Sequence, residues 1–359
     1  VIINAKIIGE NISYENYSRQ GPDVKRGDPS FSMSRSELIE FALNPRRWKD
    51  GYGLKEENTK STFWGSIIDC LLTSPEQFES RYSVAPATYA RKVMKCPSCG
   101  SETDSKSCRK CSCPREETVT DKPWDSKATV CKEWEESQGD KIVIKSELKQ
   151  SADLAVKAIG NNPTAAGVFA ASMKQVMVIG FWKDELTKLE IPIRCLIDAV
   201  PYLDGPFCKW TIDFKTSRNG NPASWDRTVD DEGYDVQAAL IMDLYVAATK
   251  EDRVDFVHIV QENMFPFHVV DPPPALSAEY LDWGRNKYRA ALRKYCQCIA
   301  TGNWPSYDVV GFQMRDCKTQ IIGPEELYHY KKTCGIVGDH HFVPPPEPET
   351  KDENCDTTP

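Results

Sequence analysis

The chain lacks the marks of several large protein classes. No apolar run approaches the roughly 18 residues that a membrane-crossing helix needs, and the mean hydropathy is −0.51. The opening Val1-Ile-Ile-Asn-Ala-Lys-Ile-Ile has no basic region, long apolar stretch or cleavage site, so it does not read as a secretion signal. It also begins without Met, as a processed chain would, and the cytoplasm is the expected location. There is no glycine-rich loop with a following lysine to cradle nucleotide phosphates, and no internal repeat. Positive charge is scarce as well: 45 Lys and Arg face 53 Asp and Glu, a net charge of −8. That argues against broad, non-specific adhesion to nucleic acid, but not against a local basic groove. Half of the excess sits in the Pro-rich stretch 346–359, where Glu347, Glu349, Asp352, Glu353 and Asp356 face Lys351 alone. Such a composition predicts a disordered acidic tail.

What remains is a chain of 359 residues with 27% charged side chains, long enough to bury a sizeable core as one large domain or two small ones. It carries 14 cysteines, and without a secretion signal they argue against a disulfide scaffold. Four are grouped as Cys96-Pro-Ser-Cys99-Gly and Cys108-Arg-Lys-Cys111. Two such knuckles offer four thiolates to one tetrahedral structural zinc. The Gly, Ser, Asp and Lys around them cannot build an apolar core, so metal would supply the folding energy of an inserted module spanning 88–122. Cys113 could replace Cys111 as fourth ligand, and an iron–sulfur cluster is a lesser alternative. Cys296, Cys298, Cys317 and Cys334 have no compact cluster spacing.

Along the chain, Ser34-Arg-Ser-Glu37 reads as a capping box before a helix that Asn44-Pro45 stops. A second helix is expected over 61–73, ended by Ser74-Pro75. Helical periodicity resumes over 128–170, with a break at Gly160-Asn-Asn-Pro163. The middle changes character: 175–183, 188–202 and 207–217 read as successive strands. A helix over 235–249, strands over 254–261 and 265–270, and a long helix over 278–300 complete an α/β or α+β pattern.

The strands carry the chemistry. Arg194-Cys-Leu-Ile-Asp198 and Trp210-Thr-Ile-Asp213-Phe-Lys215, separated by the turn signal Leu203-Asp-Gly-Pro206, would bring two carboxylates and an ammonium together on neighbouring strands. Burying such charges costs several kcal/mol per ion unless they are paired or bind metal. Two carboxylates can hold a divalent cation, and a lysine can orient or polarise the attacking water, the equipment of metal-assisted phosphodiester hydrolysis. Taken alone, Asp-Phe-Lys would more often be a surface pair on one strand face. Asp69 lies inside the second helix. Gln237 and Tyr245, eight apart, project from roughly one face of a later helix.

These pieces resemble the PD-(D/E)xK nuclease superfamily in its RecB-like branch, nearest to the RecE (exonuclease VIII) type of phage and prophage recombination modules. The resemblance rests on seven short motifs in order, covering about residues 30–310 without the cysteine insertion. They are Ser34-x-Ser36-x-Leu38 with Asn44-Pro45; Phe63-Trp-Gly65-Ser-Ile-Ile-Asp69; Arg194-x-x-Ile-Asp198; Ile212-Asp213-Phe-Lys215-Thr216; Tyr234-Asp-Val-Gln237; Gln261-Glu262 with Pro266; and Trp304-Pro-Ser-Tyr307. It implies a restriction-endonuclease-like α/β/α core, one nuclease domain over 1–345, in which a central mixed sheet is flanked by helices. It implies Asp198, Asp213, Lys215 and Gln237 as catalytic residues, with Asp69, Asp198, Asp213 and the carbonyl of Phe214 holding one or two Mg²⁺ or Mn²⁺ ions. Asp69 departs from the pattern, which usually has histidine there; an aspartate also suits these oxygen-preferring ions. Arg35, Arg46, Arg47, Lys49, Arg218, Tyr234 and Tyr245 are DNA-contact candidates. The implied activity is exonucleolytic hydrolysis of linear duplex DNA ends in homologous recombination, by a ring-shaped homo-oligomer working with a single-strand annealing partner. Alternatives are a single-strand exonuclease or endonuclease of the same superfamily, or a non-catalytic zinc-bearing DNA-binding or assembly protein on that fold.

Overall fold

The structure, a computed structural model, describes residues 1–51, 60–103 and 105–306, and the backbone of Gln313–Arg315 and Thr319–Ile321. The expected tail at 346–359, Tyr307 of the closing motif, Cys317 and Cys334 lie outside the described residues. Strand β1 (Ile2–Gly9) is followed by the short helix α1 (Tyr14–Ser18). Helix α2 (Arg35–Leu43) begins on Ser34, whose hydroxyl accepts from the amide of Glu37 at 3.5 Å. Helix α3 (Pro45–Asp50) begins on Asn44, whose side chain accepts from the amide of Arg47 at 2.9 Å. Each cap satisfies an amide that the first helical turn leaves without a partner. The expected capping box is only half formed, because Glu37 turns its carboxylate to Arg26 and Trp48 instead of back to Ser34. Asn44-Pro45 stops one helix and starts the next, since proline at the first helical position has no amide to leave unpaired. Helix α4 (Lys60–Thr73), helix α5 (Phe78–Arg81) and strand β2 (Tyr82–Val84) follow.

Strands β3 (Thr88–Lys95), β4 (Glu102–Thr103) and β5 (Glu116–Pro123) form a separate antiparallel sheet in the order β4-β3-β5. Next come α6 (Thr129–Ser137), β6 (Ile142–Ile144), α7 (Ser146–Asn161) and α8 (Pro163–Ala170). The expected helical run over 128–170 is thus broken earlier as well, by β6, which pairs in parallel with β2. Three β-branched residues, Ile142-Val-Ile144, favour the extended chain there.

Strands β7 (Ser172–Lys183), β8 (Glu190–Pro201) and β9 (Trp210–Ser217) lead to helices α9 (Pro222–Asp231) and α10 (Tyr234–Thr249). Strand β10 (Asp255–Glu262), the long helix α11 (Ala278–Thr301) and the short strands β11 (Gln313–Arg315) and β12 (Thr319–Ile321) complete the order. The central sheet runs β1-β7-β8-β9-β10, antiparallel except for the parallel pair β9–β10. No regular strand forms over 265–270. Pro266 has no amide to donate and Phe267 takes φ +61, so the chain returns along β10 through the single bridge Gln261–Val269.

Helices cover both faces of this sheet. On one side α2, α3, α10 and α11 pack against Val176, Val178, Ile191, Ile193 and Ile197. On the other, α4, α7 and α8 bury Ala199, Ile212, Phe214, Val257 and Ile259. The result is a mixed α/β fold with a central mixed sheet flanked by helices. Gly284 of α11 sits where an added Cβ would lie 2.0 Å from the carbonyl of Asp235. Only glycine lets α10 and α11 approach this closely. No helix among the described residues is long and apolar enough to cross a membrane.

Candidate active site

The sheet is irregular where its charges lie. Strands β8 and β9 are paired only at Ala199–Ile212. At the next position the amide of Phe214 donates to Asp198 Oδ2 at 2.8 Å, so a side chain takes a main-chain donor of β9. The β7–β8 ladder skips Gln175 and Asp198 between the pairs Lys174–Ala199 and Val176–Ile197. Gln175 there has φ +47, a conformation costly for a side chain-bearing residue. Its side chain reaches α4, donating to Asp69 Oδ1 at 3.1 Å and to Thr73 Oγ1 at 3.0 Å. Such local strain recurs at functional sites because the surrounding fold must hold it in place.

Asp213 and Lys215, two apart on β9, share a strand face, and Lys215 Nζ lies 2.7 Å from Asp213 Oδ2. This is an ion-pair contact rather than an aligned hydrogen bond, since Oδ2 has no hydrogen-bond partner. Gln237 of α10 donates to Asp213 Oδ1 at 2.7 Å, while its own buried Oε1 has no partner. Asp69, Asp198, Asp213, Lys215, Gln237 and Gln175 together line one cavity of about 210 Å³, with Arg35 and Arg81 also on its wall.

Burial dominates the electrostatics. It raises the Asp69 carboxyl to about 6, against the opposing charges of Lys215 and Arg81. Burial, with Asp213 and Asp69 adding repulsion, raises Asp198 well above the ordinary carboxylate range. Burial pulls Lys215 down, but Asp213, Tyr234 and Asp198 outweigh it and raise it overall, so the ammonium is charged at neutral pH. Two of the three carboxylates around Lys215, those of Asp69 and Asp198, are thus held above the ordinary carboxylate range. Carboxylate oxygens clustered in this way are suited to a hard divalent cation such as Mg²⁺ or Mn²⁺. Their oxygens are not drawn as close together as the four thiols described below, the one set among the described residues with all ligand atoms within 4.8 Å of one another.

His258 stands behind this group on β10, in register with Asp213. It is fully buried, with Nε2 3.8 Å from Asp213 Oδ2 and neither ring nitrogen hydrogen-bonded. Burial holds it down at about 4, so it is neutral. Gln175, Thr73, Arg81 and His258 were not identified from sequence. Each is a common residue at an unremarkable position until the fold brings it to the carboxylates.

The DNA-contact candidates separate. Arg35 lies on the cavity wall, donates to the carbonyl of Glu232 and sits 5.4 Å from the Tyr234 ring, which Lys215 approaches at 4.8 Å. Arg218 is exposed just beyond the end of β9. Arg46 pairs with Asp50 at 3.2 Å, and Lys49 lies 4.6 Å over Trp304. Those two residues, and Arg47 on the same helix, do not line the cavity. The expectation for Tyr245 is corrected: it is 1% exposed, and its hydroxyl donates to Glu251 at 3.0 Å, so it can neither orient Lys215 nor touch DNA. Eight residues of helix carry it about 12 Å from Gln237.

The thiols of Cys96, Cys99, Cys108 and Cys111 could hold a metal such as zinc. The turns Cys96–Gly100 and Cys108–Ser112 are each closed by an amide donating to the first cysteine's carbonyl, at 2.9 and 2.8 Å. The Ser101 hydroxyl, then the amides of Cys111 and Lys110, lower the Cys108 thiol to about 5, favouring the thiolate that binds metal. Cys113, the alternative fourth ligand, lies 3.9 Å from Cys96 Sγ, outside the close set.

No protein-family model matches the chain, and no curated protein matches it. Among solved structures, it aligns with a protein from Eubacterium rectale named "Putative exonuclease", at 12% identity and a TM-score of 0.46. That alignment covers 88% of this chain and 96% of the other. Scheffersomyces stipitis Rai1 aligns at 12% identity and a TM-score of 0.21, covering 76% of this chain and 71% of Rai1. Likenesses this distant assign no activity to the chain.

Proposed function

We propose that the protein is a metal-dependent deoxyribonuclease. The observation that carries this reading is the convergence of Asp69, Asp198, Asp213 and Lys215 on one cavity, with only one of the four positively charged. Asp69, Asp198 and Asp213, with the carbonyl of Phe214, would hold one or two Mg²⁺ or Mn²⁺ ions. Such an ion supplies a Lewis acid that acidifies water and offsets the charge developing on a phosphate.

The chain's own residues do the rest. The Phe214 amide fixes Asp198, Gln237 fixes Asp213, and Gln175 fixes Asp69, so each carboxylate is held by one amide donor before substrate arrives. Lys215, kept protonated by Asp213, donates hydrogen bonds to the attacking water or to a phosphate oxygen. It acts as an orienting and charge-stabilising group rather than as a base. Tyr234 and Arg35 limit where its ammonium can move. Arg35, and Arg218 beyond the strand end, contact backbone phosphates.

The finer reading is an exonuclease of the RecE type in the PD-(D/E)xK superfamily, acting on linear duplex ends in phage-type recombination in the cytoplasm. A homo-oligomeric ring and a single-strand annealing partner belong to this reading, and the cysteine module carries structural zinc. Incubation of the protein with linear and closed circular duplexes, in Mg²⁺, Mn²⁺ or EDTA, tests it. Progressive loss of the linear form with either metal, with the circle intact, is expected. Cleavage of the circle would replace the exonuclease by an endonuclease, and no metal-dependent product from any DNA would leave a binding protein.

A further inference from the structure

Strands β9 and β10 run in parallel, and their ends lie level, with Glu262 beside Ser217. Beyond that level the chain makes a tight turn at Met264–Phe267, closed by the Phe267 amide donating to the Met264 carbonyl at 2.7 Å. Phe265 and Pro266 form its corners. Phe265 is 78% exposed and Met264 is 65% exposed, among the most exposed large apolar side chains described. Met264 and Phe265 are neighbours in the chain, so the turn presents two exposed apolar side chains together.

The turn is anchored to the candidate active site from two sides. The amide of Asn263 donates to the carbonyl of Ser217 at 2.8 Å, two residues (about 7 Å of strand) from Lys215. Glu262 accepts from the amide of Gly220 at 2.9 Å, which ties the turn to the loop carrying the exposed Arg218. On the other side the Phe265 ring packs edge-on against Phe267 at 6.1 Å, and Phe267 stacks on Trp64 of α4 at 5.8 Å. Trp64 is on the helix that carries Asp69. A tier of three aromatic rings thus climbs from the carboxylate-bearing helix to an exposed ring, on a turn hydrogen-bonded to the loop that follows Arg218.

We infer that Phe265, with Met264, is a stacking site for an unpaired nucleobase of the DNA strand whose backbone lies along Lys215 and Arg218. Every base has a π-face, so one exposed ring beside a phosphate-binding cation grips a strand without reading its sequence. The turn is held by main-chain bonds and by the Phe267–Trp64 stack, so the ring needs little ordering when a base arrives. Pairing one apolar ring with one cation on the same edge suits a single strand better than an apolar protein surface.

This inference rests on the nuclease reading, and the experiment separates the two. In EDTA, where cleavage does not intervene, anisotropy measures binding of a duplex with a short single-stranded extension. The extension is used intact or with an abasic residue at each position in turn. For the wild-type protein one abasic position weakens binding about 5- to 150-fold, the worth of one base–aromatic stack. Phe265→Ala weakens binding of the intact DNA by the same factor and becomes insensitive to that abasic residue, and Phe265→Trp restores both. Losses that simply multiply, or unchanged affinity in Phe265→Ala, overturn the stacking site while leaving cleavage, assayed separately with metal, to judge the nuclease. Loss of self-association in sedimentation, with DNA affinity intact, overturns it in favour of a protein contact. Failure of the wild-type protein to bind this DNA overturns the stacking site, and only the further absence of cleavage with metal overturns the nuclease reading.

Discussion

The carboxylate cavity and the cysteine module solve the same problem in opposite ways. In the cavity, like charges are forced together by a sheet and helices whose apolar cores stand without them, and each carboxylate is steadied by one amide donor. In the module, β3 and β5 pair along their length, but almost nothing apolar lies beneath them. Of the module's described side chains only Val93, Cys96, Cys108 and Arg115 are buried. The fold can therefore impose strain on the first site, whereas the four thiols of the second could be held together by a metal such as zinc. Charges that destabilise mark a place where folding energy is spent on function; thiols that converge in a coreless sheet mark a place where a ligand supplies it.

Breaking the metal module should give the largest effect. Cys96→Ser or a strong chelator is expected to remove zinc, whose binding is worth on the order of 10 kcal/mol in small zinc domains. Amides of β3 and β5 would then lose hydrogen-exchange protection while those of β7, β8 and β9 keep theirs. Unchanged zinc content or unchanged protection of β3 would remove the module as a metal site. In the cavity, Gln237→Ala frees the Asp213 carboxylate and should lower activity about 10- to 100-fold with little change in melting temperature, as for other groups that orient metal ligands. A full-rate variant would show that the Gln237–Asp213 bond is incidental.

The pH dependence of His258 sharpens the contrast. Its folded value of about 4 is below the ordinary 6.5, so the unfolded chain takes up the proton first. The stability this difference contributes is complete above about pH 6.5 and is lost as pH falls towards 4. Relative to His258→Phe, the wild-type protein should lose up to about 3 kcal/mol over that window in denaturant titrations. Parallel curves would mean that the ring is solvated. The smallest effect is expected at Tyr245→Phe, which loses one hydrogen bond to Glu251, about 1 kcal/mol, and leaves cleavage unchanged. A loss of cleavage there would restore Tyr245 to the site.

Much of the fold was legible because its strands and helices have clean periodicity. Strands β7, β8 and β9 and helices α10 and α11 lie within a few residues of where alternation and helical spacing placed them. Strand β1 was not legible: its apolar residues come in pairs, Ile2-Ile3 and Ile7-Ile8, since the register with β7 shifts between Ile3 and Lys6 and again between Ile7 and Gly9. At the site, Asp198, Asp213 and Lys215 could be found from their spacing on neighbouring strands. Gln175 could not, because its role comes from a left-handed backbone angle and a contact to a helix 106 positions away. Tyr245 was misjudged for the opposite reason: helical spacing gives direction around a helix but not which neighbours wait there.

The central claim is that Lys215, held by Asp213 beside Asp198 and Asp69, serves phosphodiester cleavage. The most direct measurement is the single-turnover cleavage rate of a linear duplex by wild-type protein and by Lys215→Ala, at saturating Mg²⁺ and matched DNA occupancy. A loss of about 100-fold or more, as when a charge-stabilising donor is removed from an active site, with DNA binding retained, is the predicted result. Equal rates for the two proteins would contradict the account.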